Sequence, residues 1–151
     1  MLAYFLDMPS LFKPPVEAVN VSVVSPDILD YTVRKAIKSK YKDILSVSLA
    51  SSASLHGTKY TEGMFVSLGT TSGLPDFGKI LKVLIVADKA SFIIEPFSAW
   101  FLEHLRCYEL TKNPTADLIV AEPEELNNYC PLSPYFLQGR LLVSPKGFLL
   151  C

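Results

Sequence analysis

The sequence predicts an α+β fold: a small, mainly antiparallel, partly open β-barrel with one N-terminal amphipathic helix. Two observations carry this expectation. Residues 55–110 form a succession of short apolar or β-branched runs broken by glycine at Gly57, Gly63, Gly69 and Gly73, a spacing suited to tight turns between strands. A single helix-like segment, opening at Ser25-Pro26-Asp27, precedes them. Strands in series after one helix, rather than alternating strand and helix units, argue against a doubly wound parallel sheet. At 151 residues one domain is expected, with 1–45 supplying a strand plus the helix and 46–151 the β-rich region.

In chain order, residues 1–11 read as a strand or a short helix, stopped by Lys13-Pro14-Pro15. Residues 19–24, Val-Asn-Val-Ser-Val-Val, alternate and predict a strand. Ser25 is placed to cap the helix that follows, Pro26 suits its first position, and Asp27 and Asp30 complement the positive dipole end. Leu29, Val33, Ala36 and Ile37 form its apolar stripe, with Arg34, Lys35, Lys38, Lys40 and Lys42 outside it. This helix is expected over 26–43. Residues 46–54, rich in serine, are a first strand or a connector. Residues 77–87 predict a strand buried on both faces for much of its length, 88–90 a turn, and 91–95 a return strand that Pro96 ends or bulges. Residues 98–110 fit strand and helix spacing alike; the aromatic content and the preceding hairpin favour a strand. A turn at 111–115, a strand at 117–120, one short helical segment at 122–128 and a loop bounded by Pro131 and Pro134 follow. A final hairpin is expected to join 137–143 to 148–150 through Ser144-Pro145-Lys146-Gly147. The chain stops inside an apolar strand, as a buried terminus or a piece of a longer protein would.

Composition narrows the function classes. Half the residues are hydrophobic and 19% are charged, which separates the chain from disordered sequences. A net charge of −1 gives no overall attraction to nucleic acid or to an acidic membrane. No apolar run approaches the roughly 20 residues that span a bilayer, so no membrane partner is expected. The first residues lack the basic start of a secretory signal. Cys107, Cys130 and Cys151 are odd in number and widely spaced, which reads as reduced thiols of an intracellular protein. Without a secretory signal, the Asn20-Val21-Ser22 sequon reads as chance.

No residue carries a catalytic or metal signature. Gly69-Thr70-Thr71-Ser72-Gly73 invites comparison with a nucleophile elbow, but Ser72 stands one place late and no helix follows. It is no P-loop either, because Leu74-Pro75 occupies the place of the required Lys-Ser/Thr. A plain hairpin loop is the expectation, with an anion cradle of backbone N–H groups as the alternative. His56 and His104 are the only histidines. A His104–Cys107 dyad needs a helix at 98–110, since a strand puts the two on opposite faces. Zinc needs three or four ligands at close, patterned spacing, and no such pattern is present; no metal and no cofactor are expected. Arg34, Lys35, Lys38 and Lys42 are the candidate nucleic-acid contacts, against the blander reading of a solvated helix face. Tyr60, Phe65, Phe77, Phe92, Trp100, Phe101 and Tyr108 supply a candidate stacking wall, although most are expected in the core.

Residues 55–60 (Leu-His-Gly-Thr-Lys-Tyr), 72–77 (Ser-Gly-Leu-Pro-Asp-Phe) and 98–110 (Ser-Ala-Trp-Phe-Leu-Glu-His-Leu-Arg-Cys-Tyr-Glu-Leu) resemble segments of a multicopy group of uncharacterised vertebrate predicted proteins. The resemblance implies a mobile-element origin and a place in the C-terminal part of longer chains. It brings no activity and no site residue with it. The function expected from the residues is a non-catalytic interaction module, protein-binding or structural. The alternative is a nucleic-acid-binding accessory domain that uses the basic helix and the aromatics.

Overall fold

A computed structural model of the chain describes residues 16–42, 44–55, 57–71, 74–87, 89–126 and 128–144. Its spine is one long antiparallel hairpin. We number the strands β1 Val16–Val19, β2 Ser22–Val24, β3 Val47–Ala50, β4 Ser52–Leu55, β5 Thr58–Thr61, β6 Phe65–Thr71, β7 Leu74–Val86, β8 Lys89–Leu102, β9 Cys107–Lys112, β10 Ile119–Ala121, β11 Asn128–Leu132, β12 Tyr135–Leu137 and β13 Arg140–Val143; the helix is α1, Tyr31–Lys40. The spine is β7 with β8, paired from Val86↔Lys89 out to Phe77↔Phe97.

Each spine strand changes its outer partner halfway along. β7 pairs with β6 through Lys79 and with β3 from Val83 to Ile85. β8 pairs with β10 from Phe92 to Ile94 and with β9 from Phe97 to Leu102. The change coincides with a bulge at Leu81, where Ile80↔Ile94 gives way to Lys82↔Ile93. One extra residue reverses which side chains of β7 point to each face. Ile80 and Val83 therefore join one core, with Phe92 and Ile94, while Leu84 joins another with Ile93.

The main sheet runs β11-β6-β7-β8-β9-β13-β12, with β10, β3 and β2 attached off this path, and β1-β4-β5 form a smaller sheet. The small sheet sends Ala53, Leu55 and Tyr60 into the core of Ile80, Val83 and Phe92; the Tyr60 and Phe92 rings lie 4.8 Å apart. The helix covers the opposite face, where Ile37 packs with Val47, Leu84 and Ile93. The fold is thus mostly antiparallel β with one helix, as the sequence predicts.

Barrel closure is where structure and expectation part. The path curls around Phe65, Phe77, Phe97, Leu110, Leu132 and Val143, bringing β11 at one end near β13, the last strand but one at the other. The end strands β11 and β12 do not pair, so the sheet is open among the described residues. Only Ser133-Pro134 joins them, a link that reaches no farther than ~11 Å between the flanking Cα atoms.

Several elements differ from the sequence reading. Residues 19–24 are not one strand: Asn20 adopts φ 57°, a left-handed conformation that asparagine tolerates, and turns the chain from the small sheet into the main one. Its partner ribbon bends at Ser51, held by Asn20 Nδ2 donating to Ser51 Oγ at 3.0 Å and by the Ser51 N–H donating to the Val19 carbonyl at 3.0 Å. Pairing keeps one register across this corner, Val19↔Ser52 on one side and Ser22↔Leu49 on the other. The segment expected as 1–45 is therefore laced to the rest by two ladders.

The helix is shorter than 26–43. Pro26–Ile28 form a 3-10 turn, α1 begins at Tyr31, and Asp30 rather than Ser25 is its N-cap. Residues 98–110 contain a turn: Leu102 ends β8, Cys107 begins β9, and Arg106 adopts φ 54° between them. The last hairpin turns at Gln138-Gly139, both with positive φ, the backbone of a two-residue type I′ connection; the expected strand at 148–150 lies outside the described residues, as do residues 1–11. Pro96 lies inside β8, opposite Gly78. It falls where the outer partner changes from β10 to β9, a gap where a missing N–H breaks no ladder bond. Pro131 belongs to β11, an edge strand, rather than to a loop boundary.

Candidate interaction surface

Of the sequence-predicted cations, Arg34, Lys35 and Lys38 lie on the helix and Lys42 follows its C-terminal end. Arg34 is half-buried, with its guanidinium carbon 5.7 Å from the centre of the Tyr31 ring, and Lys35, Lys38 and Lys42 are exposed. Spacing of three and four residues places Arg34, Lys35 and Lys38 on a common helical stripe. Acids from the segment after β9 face this helix. Lys35 Nζ is 3.6 Å from Asp117, and Lys40 Nζ donates to Glu125 at 2.8 Å. Glu125 also accepts from the Glu122 N–H at 2.7 Å, within the capping box of a 3-10 turn over Pro123–Glu125. These contacts, the Glu122 N–H first and Lys40 second, hold the Glu125 carboxyl below the usual carboxylate range. The same hydrogen bond raises Lys40 above its ordinary value. The basic face is thus partly countered by its own chain.

Of the catalytic alternatives, the His104–Cys107 pair falls wholly on described residues. Gly69, Thr70 and Thr71, expected in a loop, are strand residues of β6 that pair with Asp76, Pro75 and Leu74; Ser72, Gly73 and His56 lie outside the described residues. His104 is exposed in the β8–β9 turn, whereas Cys107 is buried at the start of β9. No group of three potential metal ligands occurs among the described residues. Nor is any helix of the described residues long and apolar enough to cross a membrane.

The aromatics divide sharply. Tyr60, Phe65, Phe77 and Phe92 are buried, as expected for core, and Phe65 meets Phe97 edge to face at 5.0 Å. Trp100 and Phe101, at the far end of β8, are exposed by 67% and 38%. Strand pairing runs from Trp100 through Glu109 and Leu142 to Tyr135, placing Trp100 and Tyr135 on one face at opposite sides of a four-strand row. Phe101 contacts Tyr108, 5.1 Å between ring centres. The row ends in β12, whose Tyr135, Phe136 and Leu137 are all exposed, Phe136 by 73%. The Tyr135 hydroxyl shares a hydrogen bond with the Cys107 thiol, which, with burial, raises its pKa.

This end of the sheet is far from the helix. Ile93, in the helix-side core, and Trp100 are seven residues apart along β8, roughly 23 Å at ~3.3 Å per residue. The lysines and the exposed aromatics therefore do not form one surface. Trp100 and Phe101 are among the aromatics the sequence singles out; Tyr135, Phe136 and Leu137 are not. The available signal was charge: no Lys, Arg, His, Asp or Glu occurs between Glu125 and Arg140. Comparison with family models, curated proteins and solved structures finds no match.

Proposed function

We propose that the chain is a non-catalytic interaction module of an intracellular protein, engaging a protein partner through the open end of its main sheet. The observation that carries this reading is the set of large apolar side chains held in solvent there, Trp100 and Tyr135 on one face of the sheet and Phe101 and Phe136 on the other. Aromatic residues supply most of the binding energy where protein surfaces meet, and clustered exposed ones mark such surfaces. Selection of peptides from a displayed random library tests it. Trp100→Ala and Phe136→Lys are expected each to weaken the selected peptides roughly tenfold or more. Peptides that bind both variants as tightly as the parent would place the site elsewhere.

The second reading is a nucleic-acid-binding accessory domain of a mobile-element-derived protein. Its support is the stripe of Arg34, Lys35 and Lys38 on α1, with Lys42 just beyond the helix; the acids at Asp117 and Glu125 weigh against it. It requires affinity for a single-stranded oligonucleotide that falls steeply with salt and drops when Lys35, Lys38 and Lys42 become Gln. Salt-independent binding would exclude it.

A further inference from the structure

From the free edge of β12 we infer that the partner at the open end of the sheet is a second copy of this chain, paired antiparallel strand to strand across a twofold axis. This inference rests on the interaction reading above and names its partner. β12 pairs with β13 on one side, and it is the terminal strand of the main sheet's path. Its Tyr135, Phe136 and Leu137 stand 42%, 73% and 43% exposed.

Edge strands invite pairing by their unpaired N–H and C=O groups, and proteins blunt them with charges, prolines or bends. Most of the other small edges here carry such devices; β10, paired only with β8, is uncharged itself but lies between Asp117 and Glu122. Glu17 lies in β1, Lys59 in β5 and Pro131 in β11, and the chain bends at Asn20 just before β2. β12 itself contains neither charge nor proline; Pro134 directly precedes it, and its flanks are uncharged from Leu126 to Gly139.

The strand also complements itself. With Phe136 on the axis, Phe136 of each copy faces its equivalent on one side of the joined sheet, and Tyr135 meets Leu137 of the other copy on the opposite side. A twofold interface asks for this reciprocity, and cross-strand aromatic pairs stabilise antiparallel ladders. Two such edges meet without like charges opposed, and the net charge of −1 adds little long-range repulsion. The three side chains offer on the order of 300 Å² per copy, below the ~800 Å² per partner of a standard stable interface. The dimer is accordingly weak and concentration-dependent.

Sedimentation velocity over a wide concentration range, on the full chain, tests this. The parent is expected to pass from monomer to dimer, and Phe136→Lys to raise the dissociation constant roughly thirtyfold. Because a fold defect would also lower association, a second variant is read independently. Phe136→Cys sits on the axis, where antiparallel Cα atoms approach ~4.5–5.5 Å, a separation that a disulfide spans. Mild oxidation is expected to give covalent dimer beyond the parent's level, and Lys89→Cys, at the other end of the spine, is expected not to. A parent that stays monomeric while library peptides still bind and are lost in Phe136→Lys overturns the self-pairing and leaves the interaction reading standing. A monomer to which no selected peptide binds overturns both.

Discussion

Two neighbouring apolar pairs on one strand meet opposite fates. Ile93-Ile94 and Trp100-Phe101 both lie on β8, yet the first pair is 1% and 0% exposed and the second 67% and 38%. The difference is in what lies above the sheet. At the Ala87 end of the spine, α1 covers one face and the small sheet the other, so both members of an adjacent pair have a layer to enter. At the Trp100 end the sheet curls on Phe65, Phe77 and Phe97, which fills the inside of the curl and leaves the outlying side chains in water. Alternation along a strand determines which face a residue takes; a second layer determines whether that face is dry.

Mutations at the two ends either sharpen this contrast or break it. The largest effect is expected inside the curl. Phe65→Ala removes a buried ring packed edge to face on Phe97 and is expected to cost about 3–5 kcal/mol, read from the urea midpoint. A cost near zero would mean that the open end has no packed interior. Gly78→Ala comes next. A Cβ at Gly78 would collide with Cγ2 of Ile94 and press on Leu68, and overpacking of this kind costs about 1–3 kcal/mol.

At the covered end the expected effects are smaller. Glu125→Gln removes the partner of Lys40, an exposed pair worth about 0.2–1 kcal/mol. The folded pKa of Glu125 is depressed, so its contribution is present above the unfolded value near ~4.3 and fades as pH falls through the folded one. The gap between parent and variant should therefore close in acid; a gap that persists there would assign the effect to packing. Smallest of all is Trp100→Ala, expected within ~0.5 kcal/mol because the ring is largely solvated. A large loss would show that Trp100 supports the fold rather than a partner.

The sequence discloses the repeating features and conceals the singular ones. The helix is visible in the stripe Leu29, Val33, Ala36 and Ile37, and the spine in the apolar run of 77–87 with its return. Both follow a period. The corner at Asn20 follows none: its alternation is intact on both sides, and only one left-handed residue diverts the chain. Likewise Glu103 to Arg106 are good helix formers making a turn, so composition misleads there, and Pro96 is tolerated only because two outer partners leave a gap beside it. The candidate lysines were legible because a helix exposes whatever lies off its stripe. Phe136 was not, since exposure at a sheet edge depends on which strand comes last, and pairing order is a property of the whole chain.

The bent ribbon has a further consequence, for the order in which the molecule assembles. Val86 and Lys89 are almost adjacent in the chain, whereas Val16 reaches Leu55 only after the helix has been threaded between them. Loop-closure entropy thus favours early formation of the spine and late arrival of β1 and β2. Substitutions at Val83 or Phe92 should accordingly slow folding, and those at Val19 should chiefly speed unfolding, a division that stopped-flow rates would reveal. The Asn20 corner is then the clasp fastened last, and its opening is the least costly way for the native chain to begin to come apart.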